Sequence, residues 1–469
     1  RRLPDDAIAI EIQQILLRAL FDFEADLKKS QGIDLRHLLL KVGKMTEQPF
    51  PAAVSSKLRA DLGAALSKAG FDDGRRKEGD TDQAFEVQLI QAMLVAFNDP
   101  DAYFCEWWAV GVWLGSTTRK LPRTPAVFER KTKWRFQEPD DDDRGDWQRN
   151  YSSITEHVHL VEKQFRQEES ERLMTTMTLR EALREFGENL TIAATGAIEK
   201  KGRSDEVRVI YDGSHGITLN PGIRVRDQVR YPTASDCRSL QEELAEEGGP
   251  HFSLHYDVAK AHRRVPVLRA EWGRQGCQIS GSAAEAAQTL ARSAADEARK
   301  IFETHGRTDG RKTAAAHAEA DFDDDVLDEL IWLNCVGTFG VGSAGYWWGR
   351  AGACIVRLSH YLQGREHATW TMLYADDGWL VGRSERYEVG ILLHLLILVV
   401  IGTPLAWHKL CGGVETEWVG YALDVGRFEL GISEKRAQWV VRWCSDKVRE
   451  RRVRLGELRE GLGRLQFLA

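Results

Sequence analysis

Hydrophobic positions at helical spacing dominate the first hundred residues of the chain. Apolar side chains recur at intervals of three and four between residues 5 and 30, and similar patterns follow at 54–69 and 81–97. The spacing predicts a mainly helical N-terminal region. A turn-forming acidic stretch at 138–146 predicts a linker, which places a domain boundary near residue 150.

Strand and helix periods alternate beyond that boundary. We predict one long charged helix at 155–186, followed by a hairpin whose strands, 190–198 and 206–210, flank a basic loop. Later segments predict, in order, a strand at 252–258, a helical insertion at about 281–328, a strand at 331–336, a helix at 346–362 and a buried helix at 391–401. Both helices and strands are therefore expected beyond residue 150.

Composition bounds the class of protein. With 469 residues, 43% of them hydrophobic, the chain is expected to form a globular protein of two or three domains. Its longest apolar run is shorter than the roughly 20 residues of a membrane span, so no membrane association is expected. The seven cysteines are dispersed without a Cys-x-x-Cys pair, which favours reduced thiols in the cytoplasm or nucleus and disfavours structural zinc.

Charge is distributed unevenly. The net charge of −7 is not that of a typical nucleic-acid binder, yet residues 434–464 carry ten Lys or Arg against five acids. This surplus is enough for a contact with a phosphate backbone, although a solvated helix face would have the same composition. The chain starts without methionine and stops within an amphipathic pattern, so we expect it to be an excerpt from a longer polypeptide.

The most informative segment is Tyr374-Ala375-Asp376-Asp377, which lies between two apolar stretches and predicts the turn of a buried hairpin. Adjacent carboxylates repel each other and lose water there, a cost that a bound divalent cation offsets. The other Asp pairs of the chain lie among polar residues, where solvated charge is the simpler interpretation. A solvated turn remains the alternative at 376 and 377 as well.

A third carboxylate, Asp257, ends the predicted strand at 252–258. Two divalent ions about 4 Å apart, held by such carboxylates, can activate a hydroxyl and neutralise a leaving pyrophosphate. Magnesium suits this chemistry because it needs only one or two protein carboxylates and takes other oxygens from substrate phosphates. The three acids therefore predict a site for nucleotidyl transfer.

These motifs, in this order, resemble those of reverse transcriptases over about residues 190–469. Tyr374-Ala375-Asp376-Asp377 resembles the Tyr-x-Asp-Asp box of the family, and Asp257 resembles the acid of its first palm motif. The resemblance implies that the three aspartates are catalytic metal ligands. It adds the backbone carbonyl of Val258 as a further ligand.

The resemblance extends to the nucleotide site. Arg208, followed four residues later by Asp212, matches the fingers strand of the family, and Lys201 precedes that arginine by seven residues. A triphosphate needs such cations beyond its metals, although Arg208 alone could equally be a surface salt-bridge residue. The implied nucleotide-binding residues are Lys201, Arg208, Ala261, His262, Phe339 and Gly340.

Other motifs concern proton transfer, the primer and the sugar. By resemblance Lys409 protonates the departing pyrophosphate, and residues 432–465 begin a thumb similar to that of DIRS-like retrotransposon polymerases. His262 departs from the family, which usually has a bulky aromatic residue there to block a ribose 2′-hydroxyl. The implied primer- and template-binding residues are Tyr374, Trp418, Gly420 and Tyr421.

The resemblance implies an α+β protein with a right-hand polymerase fold, in which fingers and palm, an antiparallel palm sheet backed by helices, and a partial thumb follow the helical N-terminal region. The expected division is 1–150 for the helical N-terminal region, 151–430 for fingers and palm, and 431–469 for the truncated thumb. The expected activity is that of a retroelement RNA-directed DNA polymerase, joining dNTPs to a DNA or RNA primer on an RNA template with two Mg²⁺ ions, for which Mn²⁺ can substitute. The alternatives are an inactive polymerase fold that binds RNA or protein, and an RNA-templated RNA polymerase that the small His262 would permit.

Overall fold

The computed structural model describes residues 6–42, 46–117, 119–125, 129–130, 147–200, 202–217, 219–279, 324–383 and 385–465. The chain is of mixed α+β type, and all strand pairs in its described sheets are antiparallel. None of the described helices has the length and apolar character needed to cross a membrane. The predicted linker at 138–146 and the insertion as far as residue 323 lie outside the described residues.

The helices of the described ranges are numbered in chain order: α1 (Asp6–Gln31), α2 (Leu35–Val42), α3 (Ala52–Lys68), α4 (Val87–Ala96), α5 (Phe104–Val110), α6 (Ser152–Glu156), α7 (Val158–Ser170), α8 (Leu179–Phe186), α9 (Leu219–Gly222), α10 (Ala234–Glu247), α11 (Asp324–Leu327), α12 (Ala344–Gln363), α13 (Tyr387–Val400), α14 (Glu434–Glu450) and α15 (Leu455–Leu465). The strands are β1 (Glu129–Arg130), β2 (Met174–Thr178), β3 (Thr195–Lys200), β4 (Arg203–Tyr211), β5 (Asp227–Gln228), β6 (Phe252–Asp257), β7 (Gly276–Cys277), β8 (Leu330–Asn334), β9 (Trp370–Tyr374), β10 (Asp377–Gly382), β11 (Cys411–Gly413), β12 (Glu415–Trp418), β13 (Tyr421–Asp424) and β14 (Glu429–Ile432).

The chain divides into two compact units, each assembled from separate stretches of sequence. Residues 1–106, 230–261 and 351–469 form the first unit, and residues 107–229 and 262–350 form the second. The compact units do not test the predicted boundaries near residues 150 and 430, which divide the chain by function. Those boundaries stay predictions.

The N-terminal part of the first unit is helical, as the periodicity predicts. Ile12, Leu16 and Leu20 lie one turn apart on α1 and are fully buried, because α1 packs against α3 and α13. The helix α13 is itself buried along almost its whole length and also contacts α2 and β10. The apolar run at 391–401 is therefore a core helix of this unit, as predicted.

The central sheet of the first unit has the strand order β11-β6-β10-β9. Its β9–β10 hairpin is the one predicted around residues 374–377, and β10 pairs with β6 so that Asp377 lies opposite Asp257. Gly378 lies against the ring of Tyr256, where an added Cβ would be 2.0 Å from Cζ. Only glycine therefore fits directly after the aspartate pair.

A second, three-stranded sheet in this unit has the order β12-β13-β14. Trp418 on β12 stacks on Trp379 of β10 with ring centroids 5.9 Å apart, in a core that α10 also lines. The last two helices carry little buried surface, since α14 has no buried residue. Their contact includes the guanidinium of Arg464, which lies 4.6 Å from the ring centroid of Trp439.

The second unit contains the sheet β2-β8-β7, the hairpin β3–β4 and the short pair β1–β5. Helix α8 and strand β8 share its apolar core, in which Leu179, Ile331 and Leu333 are fully buried. The β3–β4 hairpin was predicted from its alternating runs, and the structure confirms it. The strand predicted at 331–336 is confirmed as β8.

The prediction of one helix at 155–186 is wrong. The structure has α6 and α7, then the strand β2, and then α8. Arg172 ends the helical stretch with a φ of 59°, and the threonines of β2 have the β-branched side chains that strands favour. Thr178 then caps α8 through a capping box with Glu181, which fixes where the new helix begins.

Candidate active site

The hairpin of the first unit presents its carboxylates at a tight turn. Tyr374 pairs with Asp377, which leaves Ala375 and Asp376 as the two turn residues. Ala375 has a φ of 52°, a conformation that a two-residue hairpin requires and that alanine adopts at some cost. The backbone carbonyl of Asp376 accepts a hydrogen bond of 2.9 Å from the amide of Val258, which anchors the turn to the end of β6.

Strand pairing brings two of the predicted acids to one face of the sheet. Asp257 and Asp377 are directly opposite across β6 and β10, where Cα atoms are typically about 4.5–5.5 Å apart. Like charges in such a pair are destabilising. Asp257 is 8% exposed, so water alone screens this repulsion poorly.

Asp376 belongs to the same electrostatic cluster. Burial raises the pKa of its carboxyl above the usual value, and the charges of Asp377 and Asp257 raise it further. Lys409 opposes this shift and lowers the pKa. The excess of negative charge at the turn is thus partly, but not fully, compensated by the protein itself.

Each of the two facing carboxylates has its own hydrogen-bond donor. The Nζ atom of Lys409 donates to Oδ2 of Asp257 at 2.9 Å, and Nε2 of His255 lies 3.2 Å from Oδ1 of Asp377. The indole Nε1 of Trp418 donates to the backbone carbonyl of Asp377 at 3.3 Å. Lys409 was predicted at the site, whereas His255 was not. Its signal in the sequence is its position two residues before Asp257, which places both side chains on one face of a strand.

The donor set suits a hard cation but does not form a ready-made cage. Carboxylate oxygens and a backbone carbonyl are ligands of magnesium. Among the described residues, however, no group of three or more His, Cys, Asp or Glu side chains is placed to hold a metal ion. The residues fit an ion bound by one or two carboxylates together with substrate oxygens, the mode magnesium commonly uses. The ligand set that the resemblance implies, Asp257, Asp376, Asp377 and the carbonyl of Val258, stays a prediction.

The predicted primer residues differ in exposure. Tyr374 is half-buried beside Tyr231, with ring centroids 4.7 Å apart. Trp418 and Tyr421 are 1% and 5% exposed and pack in the core. A contact from the β12–β13 hairpin to a nucleic acid would therefore come from its turn, where Gly420 has a φ of 81°.

The predicted nucleotide residues fall mostly in the second unit. Lys201 lies outside the described residues. Arg208 is exposed on β4 and makes no ion pair with any residue that the structure describes. Ala261, by contrast, ends the middle segment of the first unit and is 3% exposed at the start of the short 3₁₀ helix Ala261–Arg264.

A glycine-rich turn at residues 337–343 of the second unit carries Phe339, which is 61% exposed. The half-buried imidazole of His262 meets this ring edge-on, with centroids 6.2 Å apart, and burial lowers the pKa of His262. Gly340 has a φ of 106°, and an added Cβ would lie 1.8 Å from the carbonyl oxygen of Tyr211. The backbone at Gly340 therefore lies directly against β4, where no side chain would fit.

Asn220 supports the same turn and was not predicted. Its Nδ2 donates to the carbonyl of Gly340 at 2.8 Å, and its Oδ1 accepts from the amide of Gly342 at 2.7 Å. A cleft of about 390 Å³ lies beside Gly340, and Asp212 and Tyr151 line it. The hydroxyl of Tyr151 donates to Asp212 at 2.5 Å.

Comparison with known proteins gives similarity of structure alone. No family model matches the sequence. No curated protein matches it. Among solved structures, the chain is similar to the foamy viral protease-reverse transcriptase in complex with double-stranded DNA, with a TM-score of 0.43 and 11% identity over 82% of this chain and 63% of that one. It is also similar to the form of that protein designated dRH, again with double-stranded DNA, with a TM-score of 0.41 and 11% identity over 91% of this chain and 55% of that one. The chain spans less than two thirds of the length of either protein, and similarities of this size do not establish a family.

Proposed function

We propose that the chain is an RNA-directed DNA polymerase of a retroelement, which transfers nucleotides from dNTPs to a primer on an RNA template. The observation that carries the proposal is the placement of Asp376 and Asp377 at the hairpin turn, with Asp257 directly opposite on β6 and Lys409 bonded to it. This cluster, in motifs resembling those of reverse transcriptases, suits nucleotidyl transfer better than a structural role. In a purely structural role, the three close acids would only destabilise the fold by repelling each other.

The roles of the residues follow from their chemistry. Asp257, Asp376 and Asp377, with the carbonyl of Val258, would hold two Mg²⁺ ions, which supply a lowered hydroxyl pKa and neutralisation of phosphate charge. The primer hydroxyl attacks the α-phosphorus of the dNTP, its proton leaves to water, and pyrophosphate departs. Lys409 carries protons at Nζ and donates one to the departing pyrophosphate.

Primer extension by the full chain tests the proposal. Asp376→Asn and Asp257→Asn keep the size of the side chain but remove a charge, so each should reduce dNTP incorporation in MgCl₂ by at least about 10²-fold. Asp61, exposed on α3, provides the matched control, since Asp61→Asn removes an acid far from the hairpin in sequence. Circular dichroism of each variant establishes that it folds. Equal extension by the parent and both site variants would show that the aspartates are not catalytic.

One observation favours the second candidate, a polymerase fold that binds RNA or protein without catalysis. Lys409 and His255 already occupy oxygens of Asp257 and Asp377, and the described acids form no ready-made cage for a metal. Primer–template binding with no incorporation in either MgCl₂ or MnCl₂ would support this candidate. Incorporation by the parent chain excludes it.

The choice of sugar is tested in the same assay. His262 is held edge-on against Phe339, and imidazole is smaller than the aromatic side chain usual in reverse transcriptases. We propose dNTPs as the substrates, so extension with dNTPs should exceed extension with NTPs at equal concentration. The reverse preference would indicate an RNA-templated RNA polymerase.

A further inference from the structure

His255 stands apart from the motifs that identify the candidate site, yet it contacts one of their aspartates. It lies on β6 opposite Trp379 of β10, and its Nε2 is 3.2 Å from Oδ1 of Asp377. The imidazole is 19% exposed and the Asp377 side chain 35% exposed, so the hydrogen bond is partly shielded from water. An ionised carboxylate only accepts hydrogen bonds, which assigns the hydrogen of this bond to Nε2 of His255.

The need for this bond follows from the strand register. Asp257 and Asp377 face each other across β6 and β10, and among the described residues Lys409 donates to Asp257 and not to Asp377. The Trp418 indole reaches only the backbone carbonyl of Asp377. Among the described residues, the His255 imidazole is therefore the side chain that restrains the Asp377 carboxylate.

We propose that His255 is a positioning residue for the metal site, which fixes the Asp377 carboxylate through Oδ1 and leaves Oδ2 free to bind a divalent cation. The inference rests on the proposed function, because it assumes that the aspartates bind metal. Residues that hydrogen-bond to metal ligands fix the orientation of those ligands, and their loss typically costs about 10–100-fold in metal affinity. His255 acts through Asp377 and takes no part in the reaction itself.

The test measures metal binding without turnover. Mn²⁺ binding to the full chain, followed by electron paramagnetic resonance in the absence of nucleotide, should weaken by about 10–100-fold in His255→Leu. His255→Gln retains an N–H donor and should recover most of the lost affinity. His37→Leu is the matched control, because Nδ1 of His37 also contacts an aspartate, Asp34, at 2.7 Å, but the His37 side chain is exposed at the start of α2.

A second readout separates positioning from a general loss of structure. The MgCl₂ concentration for half-maximal primer extension should rise in His255→Leu, while the Kd for primer–template and the circular dichroism spectrum stay those of the parent. Unchanged Mn²⁺ affinity in His255→Leu overturns the inference, as does failure of His255→Gln to restore it. Absence of Mn²⁺ binding to the parent chain also overturns it.

The outcome is distinguishable from failure of the proposed function. If the parent binds Mn²⁺ in a manner dependent on His255 but extends no primer, the positioning role stands and the polymerase proposal fails. If primers are extended and Asp376→Asn abolishes extension while His255→Leu leaves Mn²⁺ affinity unchanged, the polymerase proposal stands and the positioning role fails.

Discussion

Replacement of His394 by leucine should stabilise the protein and remove part of its sensitivity to acid. His394 lies within the apolar helix α13 and is 1% exposed. Neither of its ring nitrogens has a hydrogen-bond partner among the described residues. The ring of Tyr256, on strand β6, lies 6.0 Å from the imidazole between centroids. This ring contact does not replace the hydrogen bonds to water that the imidazole loses on burial.

The size of the effect has two parts. An unsatisfied buried polar group costs about 1–3 kcal/mol, so His394→Leu should raise the free energy of unfolding by about that amount at neutral pH. The second part is protonation. Burial, with a smaller effect of His360, lowers the pKa of His394 from 6.5 to about 3 in the folded protein.

The sign of the pH effect follows from that shift. Above pH 6.5 the imidazole is neutral in both states and contributes nothing to the pH dependence. As the pH falls from 6.5 toward 3, only the unfolded chain takes up the proton, so folding is destabilised by about 1.4 kcal/mol per pH unit. Between about pH 7.5 and about pH 5.5, the parent should lose about 1.4 kcal/mol that the leucine variant keeps.

Urea unfolding of the full chain, followed by tryptophan fluorescence at the two pH values, measures both parts. Comparing the variant with the parent cancels the groups that titrate in both proteins. His37→Leu, which removes an exposed imidazole, supplies the matched control. The reasoning is refuted if His394→Leu is less stable than the parent at the higher pH, or if the two proteins lose equal stability on acidification.

Two further predictions concern packing. Gly340→Ala places a Cβ 1.8 Å from the carbonyl oxygen of Tyr211 at a φ of 106°, so it should lower the thermal unfolding midpoint, whereas Gly463→Ala, with nothing within 4 Å, should leave it unchanged or raise it slightly. Arg357→Ala removes two hydrogen bonds, of 2.6 and 2.9 Å, and the paired positive charge from the buried carboxylate of Asp99, which keeps its hydrogen bonds from Tyr361 and from the amide of Asp101. Because the buried charge is then unpaired, the change should cost about 3–5 kcal/mol in urea unfolding, and a loss below about 1 kcal/mol would contradict this reasoning.

Much of the fold follows from local patterns in the sequence. The apolar stripe of α1 and the continuous apolar run of α13 predict buried helices, and the Asp376–Asp377 turn predicts its hairpin, because each signal is complete within a few turns of chain. The strand β2 was missed for the opposite reason. Its charged flanks continue the composition of a helix, and its pairing partner β8 is remote in sequence.

The candidate site is only partly predictable for the same reason. Residue types locate Asp257, Asp376 and Asp377, but the register that sets Asp257 opposite Asp377 arises from pairing between distant strands. The role of His255 depends on that register, so the sequence gives only its spacing from Asp257. The burial of Trp418 is likewise a property of the β10 and β12 packing and not of its own hairpin.

The placement of α13 has a consequence for how the chain folds during synthesis. Arg59 on α3 donates from Nε to the carbonyl of Val400 at 2.8 Å, a contact between residues 341 positions apart in sequence. The N-terminal helices therefore leave the ribosome long before the apolar helix that covers them. Until α13 is made, their hydrophobic faces are exposed to water, and contacts of such long range form slowly. The local contacts of the N-terminal helices would by themselves allow fast folding. Because these helices need α13 to cover them, we expect the nascent chain to depend on chaperones.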